Sequence, residues 1–145
     1  LKPISLLKQT MPVMGQRVIS RDTALAMSQM LEMATKPGGT APLAQIDGYR
    51  VAGKTGTAHK LIDGQYAKKH YISTFVGFAP VSNPRLIIAV MVDEPSAGKY
   101  FGGAVAAPVF NKVMTSALRI LNIPPDAPAN NVVTFTATPE MDDEG

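Results

Sequence analysis

Cysteine is absent from all 145 residues. That excludes disulfides, thiol nucleophiles and cysteine-ligated zinc, but says little about compartment, since cysteine-free chains occur on both sides of a membrane. Long apolar runs are missing as well. The longest, Leu86–Val92, is strand-sized, far short of the roughly 20 residues a membrane-crossing helix needs. The opening L-K-P-I-S-L-L-K has no secretory-leader layout and the chain does not begin with Met, so it reads as a mature piece or a fragment. No cluster of arginines with aromatics marks a nucleic-acid platform, and no nucleic-acid partner is expected. There are only two histidines, His59 and His70. With no carboxylate beside either in sequence they make a poor metal site, and they read as surface residues. Internal repeats are absent.

The chain does hold enough apolar material, 46% of its residues, for one domain or part of one. Its charge is segregated. Fourteen Lys and Arg, all at or before Arg119, stand against six acids over the same stretch, giving a body of +8. The five remaining acids, Asp126, Glu140, Asp142, Asp143 and Glu144, make a tail of −5. A basic body suits anionic partners such as carboxylates, phosphates or acidic polymers, or is simply a solvated surface.

Read in order, Ile4–Thr10 is a short strand-like run and Met11–Ile19 is mostly loop. Ser20 suits a helix N-cap, with Asp22 in the first turn where the dipole favours negative charge. Ala24, Met27, Leu31 and Ala34 then share one helical face, and the methionines Met27, Met30 and Met33 read as core filler. Lys36-Pro37-Gly38-Gly39 ends the helix. Three strands follow: Tyr49–Ala58, about Tyr71–Ala79, and Arg85–Asp93, whose continuous apolar run predicts burial on both faces. Asp63-Gly64 marks a hairpin turn, and the short links predict an antiparallel meander. A second helix runs from about Ala104 to Leu121, with Pro108 tolerated only in its first turns. Its expected core face is Val105, Val109, Val113, Ala117 and Ile120, and Asn122 can cap it. The proline-rich acidic stretch from 124 to 145 reads as an unpacked tail, with a stray strand at Val132–Phe135. The domain division is therefore 1–123 and 124–145.

The stretch Tyr49–Ala58, Y-R-V-A-G-K-T-G-T-A, concentrates the chemistry. Gly48–Thr55 matches the phosphate-loop pattern G-x-x-x-x-G-K-[ST] letter for letter, and Leu86–Asp93 resembles the apolar strand whose Asp holds magnesium in such proteins. That loop requires a strand before its first glycine and a helix after its lysine. Neither surrounding stretch qualifies, so nucleotide binding stands as a remote alternative. The other reading is a strand edge carrying K-T-G, the third signature of serine acyl-transfer enzymes acting on D-alanyl peptides and β-lactams. Lys54 supplies a positive charge for proton traffic and for attracting a carboxylate. Thr55 and Thr57, two apart, present both hydroxyls on one face. Gly56 lets a peptide approach the edge, and the Thr57 N–H can form half of an oxyanion hole. A bare K-T-G is a weak signal; Thr57-Ala58 and the strand–helix context strengthen it.

Four separated stretches extend this: G-Y-R-V-A-G-K-T-G-T-A-x-K from Gly48, F-V-G-F-A-P-x-S-x-P-R from Phe75, D-E-P from Asp93, and Y-F-G-G-A-V-A-A-P-V-F from Tyr100. In this order they closely resemble the class B penicillin-binding proteins, in particular the division-specific peptidoglycan D,D-transpeptidases, from about Ser20 to Pro125. The resemblance implies an α/β (α+β) fold of the penicillin-binding transpeptidase and β-lactamase-like type, with antiparallel strands packed against N- and C-terminal helices, of which this chain is the C-terminal part. It implies that Lys54, Thr55, Gly56 and Thr57 are catalytic, that Thr55 and Thr57 contact substrate, and that Tyr100 and Phe101 lie at the cleft mouth where β-lactam side chains bind. No cofactor or metal is implied. The implied partners are the D-Ala-D-Ala stem peptide, β-lactam antibiotics and divisome proteins. The implied location is periplasmic, on an inner-membrane anchor.

The family's nucleophile motif, S-x-x-K, and its second motif, S-x-N, precede K-T-G by many residues, and neither is found upstream here. Ser96-Ala97-Gly98-Lys99 spells S-x-x-K, but in a glycine-containing loop after the strand, and reads as coincidence. A companion chain or N-terminal part is therefore expected to carry both motifs. Within the serine class a D,D-carboxypeptidase or β-lactamase is the alternative. A catalytically silent binding module is the reading from another class.

Overall fold

The computed structural model describes residues 15–127. The strand-like run Ile4–Thr10 and the strand expected at Val132–Phe135 lie outside the described residues. The elements are helix α1 (Arg21–Met33), a 3-10 turn (Pro42–Ala44), strands β1 (Ala52–Ile62), β2 (Gln65–Ala79) and β3 (Leu86–Asp93), and helix α2 (Gly102–Ile120). The strands form an antiparallel meander in the order β1-β2-β3, as the short links predict. No helix among the described residues is long and apolar enough to cross a membrane.

Local chemistry sets the ends of these elements. Ser20 Oγ accepts the Thr23 N–H at 3.1 Å, capping α1. Asp63 and Gly64 both have positive φ, 49° and 78°, as a two-residue hairpin turn requires. The β1–β2 register shifts between His59 and Leu61. There Lys60 reaches across to Asp93 at 3.0 Å and Glu94 at 2.9 Å, tying the hairpin to the end of β3. The ammonium of Lys60, then His70, holds the Glu94 carboxyl below its usual range. Asn122 ends α2 in the left-handed region, φ 49°. Its N–H bonds Arg119 O and that of Ile123 bonds Leu118 O, the paired closure of a Schellman cap.

The core lies between the sheet and α2. Phe75 of β2 and Phe110 of α2 are both fully buried and meet edge to face with centroids 4.8 Å apart. Room for both rings comes from Gly53 and Gly77, which face each other across β1 and β2. A Cβ at Gly53 would lie 2.5 Å from Phe75 Cζ, and one at Gly77 would lie 2.9 Å from Phe110 Cζ. Met114 and Leu118 continue the buried face of α2, and Ala106 and Ala107 bring its first turns close.

Three expectations about faces are corrected. On α2 the buried face is Ala106, Ala107, Phe110, Met114 and Leu118, whereas Val109, Val113 and Ile120 are exposed. Apolar residues spread over more than one face of the helix, and the glycine gap admits the largest of them, Phe110. Around α1, Ala24, Leu31 and Ala34 of the expected face are half-buried, but the fully buried residues are Glu32 and, just past the helix, Thr35, while Met27, Met30 and Met33 are exposed; the inward place beside Leu31 goes to a carboxylate facing Arg50 rather than to methionine. β3 alternates: Leu86, Ile88, Val90 and Val92 are half-buried toward α2, while Ile87 and Met91 on the other face are 74% and 70% exposed. Nothing among the described residues covers that second face. Boundaries also move: β1 runs Ala52–Ile62 rather than Tyr49–Ala58, β2 begins at Gln65 rather than about Tyr71, and α2 begins at Gly102 rather than about Ala104. Pro108 sits in the second turn of α2, where it forfeits the bond to the Ala104 carbonyl.

One polar network ties α1, the approach to β1 and the segment after α2. Arg50 donates from Nε and a terminal nitrogen to the two oxygens of Glu32, at 3.0 and 2.6 Å, with Lys36 3.5 Å from the same carboxylate. The Arg50 hydrogen bonds hold the Glu32 carboxyl below its ordinary range against the opposing effect of burial. Asp126 accepts the N–H groups of Arg50 at 2.7 Å and Ser82 at 2.9 Å. The Tyr49 hydroxyl donates to Ile123 O at 2.5 Å, and the N–H groups of Asp126 and Ala127 reach Gly48 O. The segment expected to be tail is thus bonded to the body as far as Ala127.

Two outcomes follow for a folded domain carrying this chain. Phe110→Ala should cost about 3–5 kcal/mol in denaturant unfolding, because a ring is lost and its cavity stays. Arg50→Ala should cost about 1–3 kcal/mol by leaving Glu32 buried with Lys36 alone. The contribution of a depressed carboxyl is fully present above its unfolded pKa of about 4.3 and is lost as pH falls through the lower folded value. The urea midpoints of wild type and Arg50→Ala should therefore converge in acid; a gap undiminished there contradicts the role given to the pair.

Candidate active site

β1 pairs only with β2 among the described residues, so alternate N–H and C=O groups line a free outer edge. On this edge lies Lys54-Thr55-Gly56-Thr57. The register aligns Lys54 with Val76, Thr55 with Phe75, Gly56 with Thr74 and Thr57 with Ser73. Directly opposed residues point to the same side of a sheet. Thr55 and Thr57 therefore share the side facing α2, as their spacing predicts, while Lys54 projects from the other side. Lys54 is exposed, and among the described residues its ammonium bonds only the neighbouring Thr55 carbonyl, at 3.0 Å.

The threonine hydroxyls are engaged by residues that the sequence reading passed over. Thr55 Oγ1 donates to Thr40 Oγ1 at 3.4 Å. Thr57 Oγ1 accepts the Gly102 N–H at 3.1 Å. That contact brings the N-terminus of α2, the positive end of its dipole, against the strand. Two glycines make the approach possible. A Cβ on Gly102 would strike the Thr74 carbonyl and lie 2.6 Å from Gly56 O, and one on Gly103 would strike Thr40 O. The pair Gly102-Gly103 ahead of an apolar helix was the legible signal for this packing. Gly56 has a second reason to be glycine besides substrate approach: a Cβ there would run into Thr74 Oγ1.

Tyr100 and Phe101 stand beside the same strands. Tyr100 stacks on Tyr71 of β2 at 4.2 Å and 12°, Tyr71 packs on His59 of β1 at 4.8 Å, and Phe101 leans on Tyr100 at 4.5 Å. Phe101 is 61% exposed. Of the residues picked out from sequence, Thr55, Thr57, Tyr100 and Phe101 thus gather on the α2 side of the β1–β2 pair, while Lys54 projects from the other side of the same strand. A cleft of about 400 Å³ sits at the opposite end of α2, lined by Tyr49, Arg119 and Asn122 among others, and contains none of them.

The remaining readings separate on geometry. β1 continues through Ile62 with no helix after Lys54, so the backbone cannot curl around phosphate as a phosphate loop does. Ser96 and Lys99 lie between β3 and α2 in a non-helical segment with Gly98 at φ 74°, and do not share a helical face. His70 does have a carboxylate neighbour, Glu94 at 3.2 Å, which its sequence surroundings did not reveal, because the partner comes from the end of β3. No group of three or more His, Asp and Glu among the described residues is placed to hold a metal ion.

Comparison with known proteins bears on the chain as a whole. The family model for the penicillin binding protein transpeptidase domain matches residues 1–115. The chain is 45% identical over 134 residues to the probable peptidoglycan D,D-transpeptidase PenA of Neisseria flavescens, covering 92% of this chain and 34% of that one. It is 46% identical over 127 residues to the peptidoglycan D,D-transpeptidase FtsI of Escherichia coli K12, covering 87% and 21%. Among solved structures, the apo transpeptidase domain of Burkholderia pseudomallei penicillin-binding protein 3 superposes with a TM-score of 0.74 at 47% identity, covering 84% of this chain and 37% of that one. The chain spans only about a fifth to a third of the length of these curated relatives.

Two glycine substitutions distinguish the packing around the strand. Gly102→Ala meets backbone carbonyls and should destabilise by about 1–3 kcal/mol, as overpacking does. Gly56→Ala meets a hydroxyl that can rotate away, and should cost less. In a Thr74→Ala background the Gly56→Ala cost should shrink while that of Gly102→Ala persists, read by thermal unfolding; equal costs in both backgrounds contradict the assigned contacts.

Proposed function

The chain belongs to the penicillin-binding protein transpeptidase family, and on that premise we propose that it works as the C-terminal part of a serine D,D-transpeptidase cross-linking peptidoglycan stem peptides. The observation that carries the reading is the edge of β1 that no described strand pairs, with an exposed Lys54 that no carboxylate among the described residues neutralises and the start of α2 closing over Thr57. In the complete enzyme a serine hydroxyl from the missing part, within S-x-x-K, attacks the carbonyl carbon of the penultimate D-Ala. The C–N bond to the terminal D-Ala breaks, that residue leaves with a proton as the free amino acid, and an acyl ester remains on the serine. An amine of a neighbouring stem peptide then displaces the serine.

Each group on the edge has a part in this scheme. Lys54 attracts the terminal carboxylate and supports proton transfer near the serine. The hydroxyls of Thr55 and Thr57 receive the carboxylate, exchanging their present partners for it. The Thr57 N–H donates to the developing oxyanion, where one preorganised donor is worth about 3–4 kcal/mol. Tyr100 and Phe101 flank the acyl side chain. A β-lactam carries a carboxylate and a strained amide in the same relation, and acylates the same serine. No cofactor enters the scheme. The similarity to FtsI supports a septal role with divisome partners and a periplasmic domain on an inner-membrane anchor. We assign residues 124–145 to an acidic C-terminal segment past the stretch that the family model matches, its first residues held to the body through Asp126 and Ala127.

In the complete protein, Lys54→Ala should lower acylation by a labelled penicillin at least about a hundredfold, the scale of one preorganised electrostatic group. Acylation at the wild-type rate removes Lys54 from the mechanism. The isolated 145-residue chain should form no covalent penicillin adduct; a stable adduct on Ser96 contradicts the assignment of the nucleophile elsewhere.

A further inference from the structure

Ser73 is a polar residue on the face that β2 turns toward the core, two positions from Phe75. It is completely buried. A hydroxyl in such a place costs free energy unless it finds a partner. Its partner is not in the sheet. The Ser73 hydroxyl donates to the backbone carbonyl of Tyr100, 27 residues away in the loop that carries the two exposed aromatics.

The surroundings make this bond a constraint on that loop. Tyr71, Ser73 and Phe75 share one face of β2, and Thr57, opposite Ser73, shares it from β1. Tyr71 stacks on the Tyr100 ring, Ser73 holds the Tyr100 carbonyl, and Thr57 Oγ1 holds the Gly102 N–H. The backbone is therefore tied on both sides of Phe101, whose ring touches only that of Tyr100 among aromatic neighbours. With neighbouring backbone groups anchored, the dihedrals that aim Phe101 have little freedom left. The backbone that carries the two rings is thus anchored from beneath, in part by a side chain fully withdrawn from solvent.

We propose that Ser73 is a positioning residue for the acyl side-chain subsite. By holding the Tyr100 carbonyl it sets where Tyr100 and Phe101 stand relative to the Lys54–Thr57 edge. It thereby governs discrimination among acyl donors by side-chain bulk, without touching the reacting atoms. This rests on the function proposed above. A purely structural serine acts differently, since its loss lowers stability and slows every donor alike.

The test uses the complete protein and two penicillins, one with a bulky aromatic side chain and one whose side chain is a bare amine. In Ser73→Ala the ratio of acylation rates, bulky over bare, should fall about fivefold, the factor corresponding to one net hydrogen bond. The rate for the bare penicillin should stay near wild type. Amide exchange should quicken in residues 100–103 and not in the paired β1–β2 core. Ser73→Cys, which keeps a weak donor, should lie between, and it carries the comparison if the alanine variant does not fold. An unchanged ratio, or an equal loss for both penicillins, overturns the role of Ser73 and leaves the proposed function standing. Failure of the wild-type protein to react with either penicillin overturns both.

Discussion

The seating of Phe110 over the Gly53–Gly77 gap is the contact on which the rest of the arrangement depends. Two glycines facing each other across β1 and β2 leave a hollow in the sheet. Phe75 and Phe110 fill it edge to face. Once Phe110 is seated, α2 is held against the sheet, and its first turn, three to four residue pairs further along the strands, falls against Gly56 and Thr57. The packing of an aromatic pair thus places a helix N-terminus and an aromatic loop beside the lysine strand. The site is a consequence of the core.

Polar contacts complete what the apolar contact begins. Glu32 and Arg50 join α1 to the chain entering β1, and Asp126 caps two N–H groups at the same end. These groups are partly or fully withdrawn from water, so their hydrogen bonds matter more than those of the solvated Lys60 cluster at the hairpin. One end of β1 is thereby clamped between α1 and the segment after α2. Its first half carries Lys54–Thr57, with an outer edge that no described strand pairs. A rigid support beneath an unpaired edge is what preorganised binding of a peptide requires.

The exposed apolar faces mark where the described residues stop covering themselves. Ile87 and Met91 on β3, together with Met27, Met30 and Met33 on α1, are open to solvent. Lys54 projects from the same side of the sheet as Ile87 and Met91. That agrees with a chain covering a fifth to a third of the length of its relatives.

Much of the fold and of the candidate site was legible in sequence, because it rests on near neighbours. Ser20 at a cap, Asp63-Gly64 at a hairpin and Asn122 at a helix end act within a few residues, so type and spacing alone determine them. The run Lys54–Thr57 on a strand was legible for the same reason: period-two alternation places both hydroxyls on one side. Tertiary structure alone decided which of several apolar faces is buried. Val109 and Phe110 are equally apolar, and only a hollow built from Gly53 and Gly77, more than thirty residues earlier, chooses between them. It also decided that Glu32 meets Arg50, that His70 meets Glu94, and that Ser73 reaches Tyr100, since partners far apart in the chain leave no periodic trace. Gly56 shows both sides. Its place in the motif was readable from the sequence, but its contact with Thr74 depends on strand pairing, which only the fold supplies.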